Sequence, residues 1–134
     1  MLPYLTAYGF TAAVFFGLDF IWLSTMGSTF YKSRMGDLML AQPNLAVAGI
    51  FYLVYVGGVV FLAIAPALAQ NNWTHALIAG AVLGLVAYGT YDFTNLATLK
   101  DWSVSMSLVD LAWGTGLTAL SATAGYFGTK WLFP

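Results

Sequence analysis

Two short stretches of the chain carry acid where a hydrocarbon-loving segment would not need one. DFIWLST runs from Asp19 to Thr25, and the third-helix block YDFTNLATLKDW runs from Tyr91 to Trp102. Asp19, Phe20, Leu23 and Thr25 match Asp92, Phe93, Leu96 and Thr98 at one offset of 73 residues (92 − 19). A second echo sets Asp19 and Trp22 beside Asp110 and Trp113, an acid and an indole three residues apart and so on one helix face. Around Asp92, Tyr88 lies four residues before and Asn95 three after, on the same face. Asp19, Asp92, Asn95, Asp110, Trp22, Trp113 and Tyr88 are therefore the candidate ion- or substrate-binding residues. Carboxylate, amide, hydroxyl and indole groups suit a proton, a hard cation or an ammonium group, and suit soft metals poorly. If the three carboxyls converge they repel one another, and at least one holds a proton unless a cation is present.

The elements that must position these residues follow from composition. The chain has 134 residues, 60% hydrophobic and 7% charged, against about a quarter charged in soluble domains. Too few charges are present to coat a water-facing surface, so the reading is an all-α membrane protein. With a formal net charge of −1, nothing favours nucleic acid as a partner; membrane lipid is the expected one. Cysteine is absent, which excludes disulfides, thiolate catalysis and Cys-based metal sites. MLPYLTAYGF has neither a basic n-region nor a small-residue cleavage site, so the first apolar run is expected to stay as an anchor.

A helix needs about 20 apolar residues to cross the hydrocarbon, and four windows qualify, at 3–26, 44–68, 75–99 and 103–132. They form one four-helix transmembrane domain over 1–134. The matched blocks suggest a duplicated two-helix hairpin whose copies run parallel about an axis along the membrane normal. Lys32, Arg34 and Lys100 fall in the first and third connections and none in the second, which puts those connections in the cytoplasm and both termini outside; Lys130 stands against this. The three acids then lie at one depth, about 10 Å inside the cytoplasmic boundary. Burying an Asp at a helix centre costs about 2.5–3.5 kcal/mol, so a coincidence of three asks for a reason.

Plainer roles compete. A single Asp near a helix end can be interhelical glue. Lys100 and Asp101 suit a solvated pair, and Lys32 and Arg34 suit topology or lipid-phosphate contact. His75, the sole histidine, sits at the outer end of the third helix as an interfacial cap. Gly80-x-x-x-Gly84, Gly57-Gly58, Gly114 and Gly116 suit close helix packing. Of the aromatics, Phe15, Phe16, Tyr52, Tyr55 and Trp113 are candidates for an inner cavity, with core filling as the default.

YDFTNLATLKDW, followed by LVDLAWGT and preceded by LDFIWL, resembles the DUF2177 family of small predicted bacterial membrane proteins over essentially the whole chain. Asp92, Asn95, Lys100, Asp110 and Trp113 match its characteristic blocks. The resemblance implies a multi-pass bacterial inner-membrane protein with four helices, for which both termini outside means the periplasm, and carries no activity. The first functional reading is a proton- or cation-coupled transporter of a small polar or cationic substrate, working as a homodimer because four helices are few for a pathway. The alternatives are an intramembrane lipid-binding protein or lipid-modifying enzyme, and an accessory subunit of a larger complex, which predicts no cavity at Asp92. Catalysis is the weaker reading: Ser103, Ser105 and Ser107 have no histidine base, and His75 lies on the other side. The sequence specifies no cofactor and leaves the metal open.

Overall fold

The computed structural model describes all residues, Met1–Pro134, and contains helices and no strands. Helix α1 spans Leu2–Met26 and does not stop there. It passes through a π-helical turn, Gly27–Tyr31, a further helical turn, Lys32–Met35, and a 3₁₀ turn, Gly36–Leu38. The segment read from sequence as the start of the long first connection is thus helical as far as Leu38. Gly36, at φ 58°, supplies the backbone conformation in which the last turn tightens.

Helix α2, Leu45–Gln70, has the same composite build: Leu45–Val59, a π-turn at Val60–Ile64, then Ala65–Gln70. Pro66 explains the π-turn. Proline has no N–H to donate, and its ring crowds the carbonyl four residues back, so the preceding turn widens rather than breaks. Helix α3 spans Trp73–Thr98 and helix α4 spans Val104–Leu132. Three of the four helices start on a polar cap. Asn44 Oδ1 accepts from the Val47 N–H at 3.2 Å, Asn72 Oδ1 from Thr74 at 3.1 Å, and Ser103 Oγ from Met106 at 3.1 Å. Helix α1 begins instead with Pro3, whose missing N–H costs nothing in a first turn.

Leu2–Leu38, Leu45–Gln70 and Trp73–Thr98 are long and apolar enough to cross a membrane. Their outward side chains agree: Phe20, Leu45, Val54, Phe61 and Ile78 are all more than half exposed, too large an apolar surface for water. Helix α4 is as long but more polar, and the four-span count read from sequence is established for three. The reason lies in its place. Helix α4 contributes more buried residues than any other helix, and many of them are Gly, Ser, Thr and Ala. Its polarity is turned to its neighbours rather than to lipid.

Small residues let those neighbours close in. A Cβ on Gly80 would come to 2.9 Å from the Ala122 Cβ, and one on Gly84 would overlap the Gly114 carbonyl oxygen, so α3 and α4 touch backbone to backbone. Gly125 and Gly128 of α4 receive Thr11 and Phe10 of α1. Gly58 and Gly116, grouped with these in the sequence, face open space instead. At the end holding the N-terminus and the α2–α3 turn, Ala7, Val59, Ala63, Ile64, Ala76 and Ala122 form a tight core. Toward the opposite end a smaller cluster, Tyr31, Trp102 and Met106, packs beside a cavity.

Candidate ligand site

Helices α1 and α3 bring their aspartates to the interior by the same device. On α1 the buried positions are Ala7, Thr11, Phe15 and Asp19; on α3 they are Ala76, Gly80, Gly84 and Asp92. Both sets recur at multiples of four residues, so each aspartate ends a stripe that packing has already turned inward. The chain's running order along α4 is reversed relative to α1, since Phe10 and Thr11 meet Gly128 and Gly125 while Asp19 meets Trp113. Placing the Asp-x-x-Trp spacing on two antiparallel helices brings the two tryptophans together.

Trp22 and Trp113 stack with ring centroids 4.3 Å apart and planes 6° from parallel. The Trp113 Nε1–H donates to Asp19 Oδ1 at 3.1 Å. The Trp22 Nε1–H donates to the Tyr31 hydroxyl at 3.0 Å, and that hydroxyl donates to Asp110 Oδ1 at 2.7 Å. Asp19 and Asp110 therefore each have a donor, in two hydrogen-bonded sets joined across α1 and α4 by the indole stack. Asp19 fits the role of a polar tie between helices.

Asp92 differs. It is wholly buried, and neither of its oxygens meets a donor. The Asp110 carboxyl lines the same cavity, close enough to act on Asp92 and, when ionised, itself an acceptor. A buried polar group without a partner is rare and costly, and a buried charge more so. Both carboxyls lie in the wall of a cavity of about 600 Å³. Its aromatic lining comprises Phe15, Tyr31, Phe51, Tyr52, Tyr55, Tyr88 and Tyr91, with Met35, Met39 and Met106 among the rest, and no Lys, Arg or His reaches it.

Of the residues singled out in the sequence, Tyr88, Asp92 and Asp110 line the cavity. Asp19, Trp22 and Trp113 stand behind the wall in the hydrogen-bonded network. Asn95 does neither: three residues on from Asp92 it is turned about 60° away and sits one turn nearer the connection, half-buried. The convergence of three acids becomes a facing pair, Asp92 and Asp110, with Asp19 tied off separately. No three acidic or histidine side chains come together as a metal site would require. Phe15, Tyr52 and Tyr55 line the cavity, whereas Phe16 and Trp113 do not.

Tyr31 and Tyr91 belong to the site and were not among the candidates. Tyr31 lay in the segment taken for a loop. Its signal was present: Leu23, Gly27, Tyr31, Met35 and Met39 all line the cavity and continue the four-residue stripe of Phe15 and Asp19. On a plain α-helix a four-residue stripe drifts by about 40° per step, and the π-turn at Gly27–Tyr31 takes up part of that drift.

A family model described as "Predicted membrane protein (DUF2177)" matches residues 4–127. The chain belongs to the DUF2177 family. The match begins in α1 and ends in the last turns of α4, so every cavity and network residue of this DUF2177 protein lies within it. No curated protein and no solved structure matches the chain.

Proposed function

We propose that this DUF2177 protein is a proton- or cation-coupled transporter in which the Asp92–Asp110 pair holds a proton and yields it when a small cationic or polar substrate enters the cavity. The observation that carries the reading is Asp92, wholly buried in the cavity wall with both oxygens unpartnered. Two facing carboxyls out of water do not both stay charged without a cation, so they keep one proton between them. A cation restores the balance of charge, and the proton leaves as it binds. Tyr31 holds Asp110 in place, with the stacked tryptophans behind it. The cavity also favours this reading over an accessory subunit, which has no use for a hollow at Asp92. The absence of a histidine base or a three-ligand metal cluster favours it over lipid-modifying chemistry.

The arrangement belongs to a larger proposal. Helix α4 crosses the membrane as the fourth span, its small and polar residues turned to its neighbours and Leu108, Leu120 and Phe127 turned outward. The repeated Asp-Phe-x-x-Leu-x-Thr blocks derive from a duplicated hairpin, and both termini lie in the periplasm of a bacterial inner membrane, with Lys32, Arg34 and Lys100 on the cytoplasmic side. The working unit is a homodimer. To test the core of this, the protein is reconstituted in liposomes carrying an internal pH dye, and gradients of sodium, potassium and tetraethylammonium are imposed in turn. At least one drives proton movement, and Asp92→Asn abolishes it. Proton movement of equal size in that variant for every cation refutes the reading.

A further inference from the structure

If the cavity binds a cation, as the transporter reading holds, its shape and lining narrow the substrate class further than charge alone. A bare metal ion is poorly served. Hard cations ask for about six or more oxygens, whereas here no three ligating acid or histidine groups cluster. Several of the hydroxyls near the site are committed: Tyr31 donates to Asp110, Tyr55 pairs with Thr118, and Thr90 donates to the Val86 carbonyl. Aromatic faces dominate the remaining wall, and about 600 Å³ is the volume of a drug-sized pocket rather than of an ion site. A positive charge spread over an apolar body finds two complements there, ring faces and carboxylate. An anionic group finds none, because no Lys, Arg or His lines the space.

The mouth points to the route of entry. Leu23, Phe51 and Tyr91 line the cavity and are each about half exposed, on α1, α2 and α3. Their surroundings on the outer surface, Phe20, Ile50 and Val54, are as apolar as lipid. The opening is therefore on the flank of the bundle, among hydrocarbon-facing side chains, rather than at its polar end.

We propose that the cavity takes an organic monocation with an apolar body, admitted from the bilayer between α1, α2 and α3, whose charge settles against the unpartnered Asp92. The shared chemistry is an onium or ammonium group on an apolar frame. Tetraphenylphosphonium and its anionic isostere tetraphenylborate test it, because they match in size and shape and differ in sign. Equilibrium dialysis of the purified protein in nanodiscs is expected to show saturable binding of tetraphenylphosphonium and none of tetraphenylborate. Asp92→Asn and, independently, Asp110→Asn each weaken it by about tenfold or more, while Asp37→Asn, an exposed acid outside the cavity, leaves it unchanged. Displacement by sphingosine, a cationic lipid without a phosphate, in the nanodisc assigns the ammonium to a lipid headgroup; undiminished binding assigns it to a free amphiphile. Equal binding of the two isosteres, or full binding by folded Asp92→Asn, overturns the proposal. If tetraphenylphosphonium fails to bind while sodium or potassium still drives Asp92-dependent proton movement, the substrate class falls and the proton-exchange reading stands.

Discussion

Asp92 and Asp19 occupy equivalent places in their sequence blocks and unequal places in the molecule. Asp19 accepts from the Trp113 indole, whereas Asp92 accepts from nothing. Removing the Asp19 partner should therefore cost stability: Trp113→Phe keeps an aromatic ring against Trp22 but deletes the donor, and should destabilise the fold by about 1–2 kcal/mol in reversible unfolding from mild detergent. Asp92→Asn replaces the shared proton with an amide that can donate to Asp110, so its unfolding midpoint should be no lower than wild type while proton exchange is lost. A marked destabilisation would mean that Asp92 is a structural tie after all. These differences were only half legible in the sequence. The Asp-x-x-Trp spacing announced that acid and indole share a face, but which acid finds which donor depends on the antiparallel approach of α1 and α4.

At the scale of elements, close packing of α3 on α4 places the wall of the cavity, and the Tyr88 ring lies directly over Gly114. Gly114→Ala should destabilise by about 1–3 kcal/mol through overpacking and should disturb the cavity. Gly116→Ala, with nothing within 4 Å of the added methyl, should be neutral or slightly stabilising. The π-turn at Gly27–Tyr31 offers a second test. A π-turn is in effect one extra residue that the helix absorbs, so the residues beyond it keep their face, and Tyr31→Phe removes the hydroxyl that donates to Asp110 without moving the ring. The variant should fold, since the helix and the ring are kept, and should bind the cation more weakly; unchanged binding would show that Tyr31 is not a positioning residue. Gly80-x-x-x-Gly84 was readable as a contact from its spacing, whereas Gly116 was not separable from Gly114, because only the rotation of α4 distinguishes them. The helical course of Gly27–Leu38 was hidden by its charges and glycines, which mimic a loop.

For the whole molecule, the membrane reading came from composition, since 60% hydrophobic and 7% charged residues allow few other solutions. Whether α4 crosses is harder to read from sequence, because a helix that turns its polar residues to its neighbours need not be greasy throughout. The chain has no cysteine, which makes single-cysteine labelling direct: Ser33→Cys should react with a membrane-impermeant thiol reagent from one side, and Asn72→Cys and Phe133→Cys from the other. Labelling of Phe133→Cys together with Ser33→Cys would mean that α4 does not cross. The most direct test of the exchange itself is a proton count. Purified protein in weakly buffered detergent, titrated in turn with tetraphenylphosphonium, sodium and potassium beside a pH indicator, should release about one proton per cation bound for at least one of them, and none in Asp92→Asn. Cation binding without proton release, or the same release from the variant, would contradict the account.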